Sequence, residues 1–162
     1  SAGGTGSVVA RTMKINAAQG VGSWTAAVVA ETPLGANATG LAVALGDVDC
    51  DGKSEIIAAL KNDSTQGAVI EIVKDGTVNS KFTVFDKSDV AGVSLASADL
   101  DGDGKADIIA APSVRMQRKA DVQAGLNGQV RVYSAEGALR LTVTSYEKLA
   151  VGVNIAVGDM GL

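Results

Sequence analysis

The chain has 162 residues, 46% of them hydrophobic, and 18 acidic against 14 basic side chains give it a formal net charge of −4. That length makes one ordinary domain or a few repeat units, and the absence of histidine removes the commonest general base and the commonest transition-metal ligand. The single cysteine, Cys50, excludes an intrachain disulfide framework, and runs such as AAVVA and IIAAL fall far short of the roughly 18 apolar residues of a spanning helix.

In chain order, GSVVARTMKI followed by SWTAAVVAE reads as a loose hairpin. Residues 40–47, GLAVALGD, place Leu41 and Val43 at alternate positions with small residues between, the period of a strand. After an acidic stretch, EIIAAL reads as a second, more buried strand. Residues 67–86 form two alternating runs about Asp75-Gly76, a hairpin signature.

The pattern then repeats. Residues 92–99, GVSLASAD, copy the first strand with Val93 and Leu95, and DIIAAP copies the second. Residues 128–147 copy the hairpin about Glu136-Gly137. A longer connection, residues 113–127, replaces the short KNDSTQ and carries Arg115, Arg118 and Lys119. Three basic residues without interleaved aromatics do not make a nucleic-acid surface. Residues 152–159, GVNIAVGD, begin a third copy with Val153, Ile155 and Asp159.

The spacing predicts an all-β chain of antiparallel four-stranded units, as propeller blades or a β-solenoid, divided at about 1–60, 61–112 and 113–162, the last incomplete. Twenty glycines, dense β-branching and the lack of a helical apolar stripe oppose helices.

The acidic stretches are GDVDCDGKSE at 46–55 and ADLDGDGKAD at 98–107. Eight of the 18 acids lie in them, so the acidity is concentrated in two spots. Counted from the first aspartate, positions 1, 3 and 5 are Asp47, Asp49 and Asp51, then Asp99, Asp101 and Asp103. Position 6 is glycine, which permits a sharp turn, and position 9 is Glu55 or Asp107. The carbonyl at position 7, Lys53 or Lys105, supplies a further oxygen.

Two like charges 4 Å apart repel by about 1 kcal/mol in water and about 4 at an effective dielectric of 20, so such loops call for a cation. Hard oxygen donors without histidine or thiolate favour calcium, and two sites are expected. An EF-hand is excluded: its position-12 glutamate is replaced by Ala58 or Ala110, and both flanks read as strands.

GDVDCDGKSEIIAA and ADLDGDGKADIIAA resemble the FG-GAP and VCBS repeats, the blades of integrin-α-like β-propellers. The resemblance implies a propeller with one calcium held by Asp47, Asp49, Asp51 and Glu55 and another by Asp99, Asp101, Asp103 and Asp107. It covers residues 40–162 and extends to 1–39 by hairpin pattern only. Glu55 departs from the usual aspartate, a change expected to loosen or reshape the first site.

Three units do not close a propeller of 4 to 8 blades. The chain is expected to be a piece of a longer repeat protein, or a ring or fibre subunit whose identical neighbours complete the sheet edges. The resemblance implies a secreted or cell-surface module for adhesion, recognition or scaffolding, without enzymatic activity or membrane insertion, whose partner is an extracellular protein or glycan. A carbohydrate-binding propeller or an accessory domain of a secreted enzyme is the alternative, with Trp24, Tyr133 and Tyr146 as its few aromatic platforms. Asn37 and Asn62 sit in N-glycosylation acceptor patterns.

Overall fold

The structure, a computed structural model, describes residues 7–17, 24–36, 41–61, 67–85, 92–114, 128–145 and 152–158. Asn37, Asn62, Tyr146, Asp159 and the basic residues of the long connection lie outside these. The described residues form strands, turns and loops, with no helix.

Strands β1 (Ser7–Ala17) and β2 (Trp24–Ala36) pair antiparallel, Ala17 opposite Trp24. The first four-stranded sheet runs in the order β3 (Leu41–Gly46), β4 (Glu55–Lys61), β5 (Ala68–Lys74), β6 (Thr77–Phe85). The second repeats it with β7 (Gly92–Ala98), β8 (Asp107–Val114), β9 (Gln129–Tyr133), β10 (Leu139–Thr144). All neighbours are antiparallel, so each sheet is a simple meander with the form of a propeller blade. The divisions at 60 and 112 fall inside β4 and β8. The structural units are the two meanders, because hydrogen-bonded hairpins, not the start of the chain, set their phase.

Turn chemistry explains the hairpins. Lys74 pairs with Thr77 across Asp75 and Gly76, whose φ values of 48° and 79° make the two-residue turn that matches strand twist. In the second sheet the loop is one residue longer. Ser134 N–H donates to Ala138 O at 2.9 Å, and Gly137, at φ 85°, supplies the left-handed position that such loops end on.

One core joins the sheets. Ile57, Ala59, Ile70, Ile72, Val84 and Phe85 of the first pack with Ile108, Ala110 and Tyr133 of the second. The side chains facing this core differ between the innermost strands. On β7 the larger residues Val93 and Leu95 pack onto it, as their alternation predicts. On β3 the small residues Ala42 and Ala44 do, while Val43 and Leu45 are 51% and 64% exposed. At the innermost strands, large residues of the second sheet and small residues of the first thus share one core.

Polar contacts fix the seam. Arg131 donates to Val84 O at 2.8 Å and lies 4.8 Å over the Phe85 ring, and Tyr133 Oη donates to the same carbonyl at 2.9 Å. Ser80 Oγ donates to Ala135 O at 2.8 Å, and Ser97 Oγ to Leu45 O at 2.6 Å.

Residues 152–158, predicted as a strand, form no strand in the structure. They lie along the second sheet nevertheless: Val153 N–H donates to Pro112 O at 2.7 Å and Ile155 N–H to Ser94 Oγ at 3.1 Å. A hydroxyl acceptor in place of a backbone carbonyl breaks the ladder that a strand needs.

Candidate metal centres

Both acidic loops join the first two strands of a sheet. Gly46 pairs with Glu55 and Ala98 with Asp107, so each ladder closes directly beneath its loop. Position 1 follows one strand and position 9 opens the next. The ninth-position acid is therefore held on the strand and buried, 4% exposed for Glu55 and 3% for Asp107.

Carboxylates turn each loop inward by accepting its own N–H groups. Asp47 takes those of Asp51 (3.1 Å) and Gly52 (2.8 Å). Asp99 takes those of Gly102 (2.7 Å) and Gly104 (2.9 Å). Asp51 and Asp103 accept from Lys53 (2.9 Å) and Lys105 (2.8 Å), and both lysines are exposed. The buried acids hold the loop starts, Glu55 taking the Val48 N–H at 3.0 Å and Asp107 the Leu100 N–H at 3.3 Å. The two loops also touch: Ala106 N–H donates to Asp47 O at 2.7 Å.

The ten predicted residues do not all converge. Asp47, Asp49 and Glu55 offer oxygens within 4.8 Å of one another, and Asp99, Asp101 and Asp103 do the same. Asp51 and Asp107 stand outside these groups. Two cations from elsewhere in the fold lie against these acids. Lys74 Nζ, at the end of β5, pairs with Asp49 and lies 2.8 Å from Asp51. Arg140, on β10, lies 2.8 Å from both Asp101 and Asp107 and 3.8 Å from Asp103.

Neither cation was found by motif reading, because neither lies in a loop. Lys74 had a signal: Ile56 pairs with Val73, so a hairpin register places residue 74 beside residue 55. Arg140 had none, since its strand is two removed from β8 and its counterpart in the first sheet is uncharged.

The Lys74 hydrogen bond, then the Lys53 N–H, holds the Asp51 carboxyl below its ordinary 3.8. The Gly104 N–H, followed by that of Gly102, does the same for Asp99. Pairing with Asp49, then Asp51, holds Lys74 well above its ordinary 10.5. A depressed carboxyl binds fewer protons folded than unfolded. Its stabilisation is complete above the unfolded value and is lost as pH falls through the folded one. The metal-free thermal midpoint should therefore hold down to about pH 5 and drop below about pH 4. A midpoint that is flat through the acid range would contradict these contacts.

Cys50 occupies a strained position. Its φ is 65°, and the equivalent residue of the second loop is Gly102 at 79°. A left-handed conformation costs a residue with a Cβ roughly 1–2 kcal/mol. Cys50→Gly should raise stability by about 1 kcal/mol after the entropy of the freer unfolded chain is deducted. Chemical denaturation checks this, and a destabilised variant would show that the thiol packs usefully.

No curated protein and no solved structure matches the chain. Residues 91–133, which hold β7, the second acidic loop, β8 and β9, match the family model of the FG-GAP repeat.

Proposed function

We propose that the chain is a calcium-stabilised β-propeller module that works outside the cell in adhesion, recognition or scaffolding. The observation that carries this reading is the convergence of Asp47, Asp49 and Glu55 within 4.8 Å. Oxygens bound to one calcium at roughly 2.3–2.6 Å are at most about 5.2 Å apart, so the group fits one ion. Asp47, Asp49 and Glu55 would hold calcium in the first loop. Asp99, Asp101 and Asp103 form the corresponding group in the second. The ion would supply positive charge where three carboxylates crowd, and its role is structural. Under this reading the acids are ligands and not catalysts.

The partner is a neighbouring blade or an identical subunit on the open sheet edges. On β10, Leu139, Leu141 and Val143 are 54%, 52% and 47% exposed, which suits a surface that another unit covers. Near-millimolar extracellular calcium matches sites of this kind, with dissociation constants of roughly 10⁻⁴ to 10⁻³ M.

Calorimetric titration of chelator-treated protein with calcium tests the reading. Binding in that range, abolished at the first loop by Asp49→Asn with Glu55→Gln, is expected. No heat and no retained calcium at about ten times the upper constant would overturn it.

A further inference from the structure

The two loops share a pattern but not a charge balance. In the first, Glu55 is 4% exposed and its Oε2 takes the Val48 N–H. Among the described residues its other oxygen meets no donor, yet the carboxylate reaches the group formed with Asp47 and Asp49. A carboxylate buried this deeply with a free oxygen calls for a cation. Lys74 does not provide it. That ammonium sits on Asp49 and Asp51, whose side chains are 41% and 33% exposed.

In the second loop the buried acid is satisfied. Asp107 Oδ2 takes the Leu100 N–H and Oδ1 takes Arg140 Nη1 at 2.8 Å. The same Nη1 lies 2.8 Å from Asp101 Oδ2. One guanidinium group therefore bridges the third-position and ninth-position acids, the pair an ion would join. The three aspartates whose oxygens converge in this loop are all exposed and do not include Asp107.

We infer that Arg140 is a built-in counter-ion that stands in for the metal in the second loop. The first loop is then the tighter calcium site, and the second binds calcium well only when Arg140 is withdrawn. This ordering rests on the calcium reading above and reverses the one that Glu55 suggests from sequence. An ion entering the second loop must break charge-assisted hydrogen bonds to a buried carboxylate. An ion entering the first displaces Lys74 from solvent-facing carboxylates, where ion pairs are weak. The guanidinium also turns its Nη2 toward Asp103 at 3.8 Å, a further contact that the single nitrogen of an ammonium does not add.

Calcium titration and thermal unfolding of the full chain test the inference, with Arg140→Gln and Glu55→Gln compared to the parent. The parent should bind one calcium at least about tenfold more tightly than the second. Glu55→Gln should remove the tight event. Arg140→Gln should tighten the weaker one by about tenfold, leaving the first unchanged, and should melt lower than the parent without calcium but not with it. Should Arg140→Gln not fold, Arg140→Lys keeps the charge without the bridge and should tighten the second site by a smaller factor. Equal sites in the parent, or a second site that Arg140→Gln leaves unchanged or weakens, would overturn the role of Arg140 while the calcium reading stands. Absence of calcium binding by the parent and both variants would overturn the calcium reading itself. A low metal-free midpoint of Arg140→Gln would then still report the counter-ion, and an unchanged one would remove it.

Discussion

Gly137→Ala is expected to destabilise the protein by about 3 kcal/mol and to lower its thermal midpoint by roughly 6–12 °C. Two effects add. The residue sits at φ 85°, where a Cβ costs roughly 1–2 kcal/mol. The new Cβ would also lie 2.6 Å from Phe82 Cγ, closer than packed atoms tolerate. Phe82 is poorly placed to yield, because its ring lies tilted against that of Tyr133, centroids 5.6 Å apart, and Tyr133 is hydrogen-bonded across the seam. Overpacking of that kind typically costs a further 1–3 kcal/mol or so. Gly102→Ala is the matched control. It has a similar φ of 79° with nothing within 4 Å of the added carbon, so it should show the conformational part alone, about 1 kcal/mol. Equal losses in the two variants would mean that the turn of the second sheet does not press on the first.

Calcium should produce the other large effect. A ligand that binds only the folded state at 100 times its dissociation constant stabilises by about 2.7 kcal/mol. For a protein of this size one such site raises the thermal midpoint by roughly 5–11 °C. Chelator should reverse the shift, and magnesium should reproduce little of it, because magnesium gives up its water shell reluctantly. High sodium chloride separates a bound ion from plain screening: it weakens the Lys74 and Arg140 pairs without supplying a divalent ligand. A midpoint that rises as much with salt as with calcium would leave only screening to explain.

Much of this arrangement was legible in the sequence because its causes are local. Alternation at Val93 and Leu95, the Asp75-Gly76 turn and the glycines at 52 and 104 each act within a few residues. Local rules also located both loops and set their ninth-position acids, Glu55 and Asp107, at strand starts, though not their burial. What escaped depends on contacts between units. Ala42 and Ala44 face the core instead of Val43 and Leu45, and the neighbouring sheet brings Val93 and Leu95 to the same core. Arg140 reaches Asp107 across 33 residues of sequence and two strands, which no spacing rule encodes. Residues 152–158 keep their apolar alternation without forming a strand, since alternation does not supply the backbone acceptor that Ile155 lacks at the Ser94 hydroxyl.

Val93 and Leu95 reach the shared core from one sheet and Ala42 and Ala44 from the other, which makes stacking of these units vectorial. What a unit presents differs from what it receives. At the innermost strands, two large edges brought together would collide, and two small ones would leave voids that dense packing does not allow. Symmetric pairing through these faces is therefore disfavoured, and a head-to-tail contact is the one that repeats. Repeated at a fixed rotation, it closes into a ring or continues as a filament, and the angle between successive sheets decides which.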